Sequence, residues 1–372
     1  MVSNSAREVV SSYTSSYHVC VDALGGGALG RVVGGRPCLV VTSPTAGRLH
    51  AADVARGLER AGCDVRTMTL AVGEGDKTMA QVEAVCAEAA RHGIGRGGVL
   101  VGVGGGVLTD VVTMAAALTR RGIAYVRVPT TLVGLIDAGL GAKGAVNAFG
   151  KKSALGCFHA PEAVILDPAV LRTLPRAHLR YGLAEMVKIA LVKDAHAFEL
   201  LERHGVDLLG GRLTDAVCDL VWRAADLLLD ELEPNLYETK TLRRPADFGH
   251  TFSAEVEAAS GFGVHHGDAV AVDMALSTAL ALRLGLVSDG EAARLYRLLG
   301  RMELPLYSPH LTPERCRQSI ADAVQHRGGD LNLVVPTGIG DCTFLQRDDV
   351  GDDVLAAALA DVAGRERLAI AA

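Results

Sequence analysis

Short apolar runs alternate with amphipathic stretches through the first half of the chain. PCLVVT (37–42), VRTMTL (65–70), GVLVGV (98–103) and AYVRVP (124–129) have the length and β-branched content of buried strands. Between them lie a helical segment after Gly47 and the stretch TMAQVEAVCAEAARHG, where Val82, Val85, Cys86 and Ala89 recur at helical spacing and give one apolar face. This alternation predicts an α/β lobe around a doubly wound, mostly parallel sheet. Past about Leu171 the strand pattern fades, and LRYGLAEMVKIALVKD, LTDAVCDLVWRAADLLLDELE and GDAVAVDMALSTALALRLG read as helices. LNLVVPTGIGDCTFL reads as a late hairpin turned by Pro336 and the glycines. The expected division is an α/β domain over residues 1–170 and a mainly α-helical domain over 171–372.

A chain of 372 residues, 49% hydrophobic and 22% charged, can build two lobes and a cleft between them. The net charge of −6 offers no extended basic surface, so no nucleic-acid partner is expected and a phosphate ligand must be met locally. The Ser-rich start, MVSNSAREVVSSYTSSYHV, carries Arg7 and Glu8 and lacks the apolar core of a secretion signal, which points to the cytoplasm. AVAVDMALSTALALRLGL is interrupted by Asp273 and Arg283 and predicts a buried helix, with no membrane partner. Eight cysteines without CxxC spacing suggest reduced thiols.

VGVGGGVLTD (101–110) ends a strand, turns on Gly104, Gly105 and Gly106 and opens a helix, an arrangement that lets backbone N–H groups approach a pyrophosphate. A bare glycine turn serves equally for tight packing. VPTTLVGLIDAGLGAKGAVN is too glycine-rich for a stable regular helix and places Asp137, Lys143 and Asn147 on irregular backbone, suited to ligand contact or to a solvated loop. Glu185 and Lys188 share a helical face, as a surface ion pair would. His250 and His266 precede two helices and could each be a capping or core histidine. Converging with Glu185, they would make a three-ligand site with an open position, the form of a catalytic metal centre.

GGGVLTD, RVPTTLVGLIDAG, GLAEMVK, FGHTF and HHGD occur here in the order and at the separations that resemble the dehydroquinate synthase superfamily, over about residues 35–345. The resemblance implies a Rossmann-like NAD-binding lobe followed by an α-helical metal- and substrate-binding lobe. It implies NAD and Zn2+ or Co2+ as cofactors, a sugar phosphate as substrate, and a homodimer. By resemblance Glu185, His250 and His266 are metal ligands, and Lys188, Lys143, Asp137, Arg243, His326 and Asp273 serve the reacting centre. Arg121, reaching from the neighbouring subunit, Asn147 and Lys152 meet the substrate phosphate. Gly104, Gly105, Gly106, Asp110, Thr130 and Thr131 contact NAD, with Glu74 and Lys77 near its adenosine end. The implied reaction oxidises a ring hydroxyl transiently, eliminates phosphate, returns the hydride, opens the hemiketal and closes a carbocycle by aldol addition.

Dehydroquinate synthases carry a second histidine one turn beyond the first, where this chain has Ala254, and a pair of lysines where it has QHR at 325–327. Those groups read a substrate carboxylate, so their loss implies a substrate without one, such as sedoheptulose 7-phosphate. LIDAG (135–139), ELEPNLYE (231–238), AVAVDMALS with Asp273, and QHR with His326 resemble the 2-epi-5-epi-valiolone synthases. Ala254 and Ser153 depart from that group, leaving 2-epi-valiolone as an alternative product and dehydroquinate synthesis as another activity. A metal-dependent polyol dehydrogenase is the more distant alternative, against which the pair GLAEMVK and FGHTF speaks.

Overall fold

A computed structural model describes residues 14–261 and 263–371, with side chains described to residue 367. Residues 1–13 of the Ser-rich start lie outside the described residues. In chain order the first part comprises β1 (His18–Val21), α1 (Gly27–Val33), β2 (Cys38–Thr42), α2 (Pro44–Arg60), β3 (Val65–Thr69), α3 (Met79–Arg91), β4 (Val99–Gly104), α4 (Gly106–Leu118), β5 (Ala124–Pro129), β6 (Lys143–Ala148), β7 (Lys151–Phe158) and β8 (Ala163–Leu166). Six of these strands form a parallel sheet in the order β1-β8-β5-β4-β2-β3.

The continuous apolar runs are explained by burial of both sheet faces. Val99, Val101 and Val103 of β4 face a large core shared with the later helices, whereas Leu100 packs with Val82 and Val85 of α3 and Val111 and Ala115 of α4. The α2 helix starts at Pro44, before Gly47, because the Ser43 side chain accepts from Ala46 N and caps it. Strands β1 and β8, each only four residues, lacked a pattern long enough to read from sequence.

The glycine-rich stretch after β5 is more ordered than its composition predicts. Gly134–Ala138 form a single π-helical turn, and Lys143–Ala148 become β6, paired antiparallel with β7. Buried Arg127 explains this order: its guanidinium donates to Ala138 O, Gly141 O and Lys143 O at 3.3, 2.5 and 2.7 Å, and to Thr113 Oγ1 at 2.9 Å. Carbonyls that a glycine-rich loop would leave to water are thus satisfied internally. Phe149 and Gly150 turn the hairpin with φ of 55° and 72°, the left-handed pair that a tight two-residue turn requires.

The second part contains α5 (Arg176–Lys193), α6 (Ala195–Leu209), α7 (Asp215–Leu232), α8 (Ser253–Ala259), α9 (His266–Arg283), α10 (Asp289–Arg301), α11 (Pro313–His326), the antiparallel pair β9 (Leu333–Gly338) and β10 (Asp341–Leu345), and α12 (Asp352–Ala371). Helices α5 and α9 are buried on nearly every side and form its centre. Among the described residues no helix is long and apolar enough to cross a membrane.

Candidate active site

Two glycines set the distance between the elements that carry the site. A Cβ on Gly182 of α5 would lie 2.4 Å from the Leu132 side chain, and one on Gly267 of α9 would lie 2.4 Å from Tyr181 Cα. Only glycine lets α5 approach both the segment after β5 and the first turn of α9. Glu185, Lys188, Asp137 and His266 meet as a result.

Glu185, His250 and His266 can place one ligand atom each within 4.8 Å of one another. His266 Nε2 stands 3.1 Å and His250 Nε2 3.9 Å from Glu185 Oε1. Each imidazole is oriented through its other nitrogen: His250 Nδ1 lies 3.0 Å from Phe248 O, and His266 Nδ1 lies 2.9 Å from Glu257 Oε1. An acceptor at Nδ1 favours the tautomer whose Nε2 lone pair is free for a metal. Glu185 is 1% exposed, yet neither carboxylate oxygen receives an aligned hydrogen bond.

Lys188 Nζ lies 2.8 Å from Glu185 Oε2 and 2.9 Å from Asp137 Oδ2. Burial works against both charges, but the Lys188 ammonium and the two imidazoles hold Glu185 well below the usual carboxylate range. Against the same burial, Asp137 and Glu185 raise Lys188 above its ordinary value. The pair is therefore ionised, with Lys188 a proton donor at the metal-set edge. Glu257 is also pushed up by burial, and His266 and Lys152 outweigh that, bringing its carboxyl to about 2.

In the α/β part, β4 passes through Gly104 and Gly105 into α4. A Cβ on Gly104 would lie 2.5 Å from Leu108 Cδ2, so the turn is closely packed; Thr130 N donates to Gly104 O at 2.9 Å, and Thr131 Oγ1 accepts from Gly134 N at 3.1 Å. No side chain caps α4, which leaves its first amides available to an anion. Lys77 and Asp110 pair at 2.9 Å, and Lys77 also stands 3.6 Å from Glu74.

Several expected contact residues are occupied or turned elsewhere. Asp273 is fully buried: its Oδ2 accepts from Ser253 N at 3.0 Å and from Phe252 N, and its Oδ1 accepts from Ser277 at 3.0 Å. It therefore fixes the segment that carries His250, with both oxygens engaged inside the protein. Asn147 gives its amide to Glu74 and accepts from Ser153 N, so it ties the β6–β7 hairpin to residues 74–77 instead of standing free for a phosphate. Lys152 pairs with Glu257 at 2.8 Å. Arg243 stacks its guanidinium 4.8 Å from the Phe344 ring centroid, and His326 is exposed at the end of α11. Arg121 is exposed on positive-φ backbone and makes no side-chain hydrogen bond among the described residues. Lys143 contacts Glu238.

The family models for 3-dehydroquinate synthase match the chain in two adjoining pieces, N-terminal over residues 67–181 and C-terminal over 182–323. The chain belongs to the 3-dehydroquinate synthase family. Within this family it is 44% identical over 342 residues to a 2-epi-5-epi-valiolone synthase of Streptomyces glaucescens, covering 90% of this chain and 87% of that protein. A 3-dehydroquinate synthase of Pelobacter propionicus is 33% identical over 341 residues, 89% of this chain and 93% of the other. The solved structure of ValA, a 2-epi-5-epi-valiolone synthase from Streptomyces hygroscopicus subsp. jinggangensis 5008 with NAD+ and Zn2+ bound, superposes with a TM-score of 0.91 at 40% identity, covering 96% of this chain and all of that one.

The donor set fits a divalent metal. One carboxylate from α5 and two imidazoles, from the segment before α8 and from the start of α9, converge; the imidazoles' outer nitrogens are anchored, and the buried Glu185 oxygens lack aligned donors. Sequence reasoning missed Glu257, Glu238, Arg244 and Arg127. The available signal was a charge on an otherwise buried face: Glu257 follows Val256 in α8, and Arg127 interrupts the apolar strand AYVRVP.

Proposed function

We propose that this chain is a sugar-phosphate cyclase that converts sedoheptulose 7-phosphate to 2-epi-5-epi-valiolone and inorganic phosphate. The observation that carries the reading is the set of buried Glu185 with half-buried His250 and His266, with the salt bridge Lys188–Asp137 at its edge. The likeness to proteins named for that product supports the choice within the family. Ala254 and the sequence QHR at 325–327, in place of groups that would read a carboxylate, favour a substrate lacking one.

Glu185, His250 and His266 would hold Zn2+ or Co2+, and the turn Gly104–Gly106 with Asp110, Thr130, Thr131, Glu74 and Lys77 would line the NAD site. When bound, NAD supplies reversible hydride acceptance and the metal supplies Lewis acidity at substrate oxygens. Lys188 donates hydrogen bonds to the substrate hydroxyls nearest the metal set and holds a proton at Nζ, while Asp137 keeps that ammonium oriented. Lys143 orients the sugar from the β6 side, and Lys152 and Arg121 are the cations assigned to its phosphate. Asp273 acts at one remove, by fixing the backbone of Phe252 and Ser253. We place the domain boundary near residue 170, between β8 and α5, and read the protein as a cytoplasmic homodimer in which Arg121 serves the neighbouring site.

The test is incubation of protein loaded with NAD and zinc with sedoheptulose 7-phosphate and, separately, with the carboxylated heptulosonate 7-phosphate. Phosphate release and product NMR are followed. Phosphate release from the heptulose with a valiolone-type ring is expected. Turnover of the carboxylated sugar alone would make the chain a dehydroquinate synthase, and net accumulation of NADH would make it a dehydrogenase.

A further inference from the structure

An ionic series of alternating sign runs through Lys143, Glu238, Arg244, Asp247 and Arg327. Glu238 Oε1 contacts both Lys143 Nζ and Arg244 Nη1. Arg244 Nη2 then lies 3.7 Å from Asp247 Oδ1, and Asp247 Oδ2 lies 3.5 Å from Arg327 Nη2. The series starts on β6, passes three residues before His250 at Asp247, and ends just beyond α11. It joins the α/β part to the helical part beside the metal set.

Glu238 is the member held with most constraint. Its φ is 53°, a left-handed conformation that a glutamate adopts only when its surroundings impose it. The constraint is a local turn: Glu238 N donates to Asn235 O at 2.9 Å, and the Asn235 side chain accepts from Lys240 N at 2.9 Å and donates to Thr241 O at 2.8 Å. Next to it, the Tyr237 ring packs 5.9 Å from that of Phe158 on β7. The backbone therefore aims one carboxylate at two cations, exposed Lys143 and the more buried Arg244, which also faces Asp247.

We propose that Glu238 is a specificity-determining residue that neutralises Lys143 and Arg244 from within the protein and so selects a hydroxyl-bearing sugar end over one bearing a carboxylate. A substrate carboxylate entering here must displace Glu238 or lie beside it as a like charge, and either weakens its binding. A neutral polyol end instead finds acceptor oxygens on Glu238 and donors on Lys143 and Arg244. The assignment rests on the cyclase reading for the identity of the two sugars compared.

The experiment measures binding to the metal- and NADH-loaded protein, in which no hydride can be accepted and neither sugar is consumed. Sedoheptulose 7-phosphate, the carboxylated heptulosonate 7-phosphate and inorganic phosphate are titrated calorimetrically. Wild type is expected to prefer the first sugar by about tenfold or more, Glu238→Gln to tighten the heptulosonate by about tenfold with phosphate unchanged, and Glu238→Asp to keep the wild-type preference. Equal affinity of wild type for the two sugars overturns the proposal without recourse to any variant. So does a Glu238→Gln variant that binds the heptulosonate no better, or that tightens all three ligands alike. Failure of the wild-type enzyme to release phosphate from sedoheptulose 7-phosphate would sink the cyclase reading alone, because the binding ratio is measured without turnover.

Discussion

Glu257 anchors the metal set from outside, and its replacement should lower metal affinity while leaving the three ligands in place. Its Oε1 stands 2.9 Å from His266 Nδ1 and its Oε2 2.8 Å from Lys152, on a side chain 8% exposed. Glu257→Gln keeps the volume and an acceptor for Nδ1–H but loses the charge; Glu257→Ala loses both and frees the His266 ring to rotate. Removal of such an outer partner costs about 10- to 100-fold in metal affinity, or about 1.4 to 2.7 kcal/mol. The glutamine variant belongs at the lower end of that range and the alanine variant at the upper end. The assay is a zinc titration of chelator-stripped protein against a chromophoric competitor, read independently of catalysis, with unfolding curves to verify the fold. Wild-type zinc affinity in folded Glu257→Ala would refute the argument, since it would show that His266 needs no partner at Nδ1.

Lys188→Met should retain zinc and NAD while lowering kcat by about 10²- to 10⁴-fold, the span of a lost proton-transfer group; wild-type kinetics with full zinc content would remove Lys188 from the chemistry. Arg127→Leu deprives Ala138, Gly141, Lys143 and Thr113 of their donor. At about 1 kcal/mol per hydrogen bond, urea unfolding should show a loss of about 3 kcal/mol or more, and a change below about 1 kcal/mol would contradict its role as a structural peg. Burial raises Asp273 from 3.8 to about 6, against the pull of the Phe252 and Ser253 amides. A raised acid pKa contributes stability that is fully present below pH 3.8 and is lost as pH rises through about 6. Between pH 4 and 7 the stability of wild type relative to Asp273→Asn should therefore fall by up to about 3 kcal/mol; parallel pH profiles from chemical denaturation would show that Asp273 ionises normally.

The chain's repeating patterns carried most of the architecture. Both the alternation around the sheet and the burial of α5 and α9 follow from local periodicity, because a strand or helix buried on all sides must be apolar on all sides. The motif set GLAEMVK, FGHTF and HHGD also singled out Glu185, His250 and His266, whose ligand atoms the fold gathers within 4.8 Å. Roles that depend on what lies opposite a side chain were not readable. The resemblance places Asp273 at the reacting centre, and only the approach of residues 252 and 253 gives its carboxylate structural donors. The pairings of Asn147 with Glu74 and of Lys152 with Glu257 across the hairpin had no local signature either. Sequence alone determined the α/β-then-helical layering, because it depends on local periodicity, and the resemblance of its motifs supplied the residue types of the metal set; the short strands β1 and β8 and the β6–β7 hairpin had no such signature. Tertiary structure alone decided the partners of Glu257, Glu238 and Arg127, because these hydrogen bonds and ion pairs form between residues from 6 positions apart (Glu238–Arg244) to 105 (Glu257–Lys152), whose distance is set by packing and has no local signature.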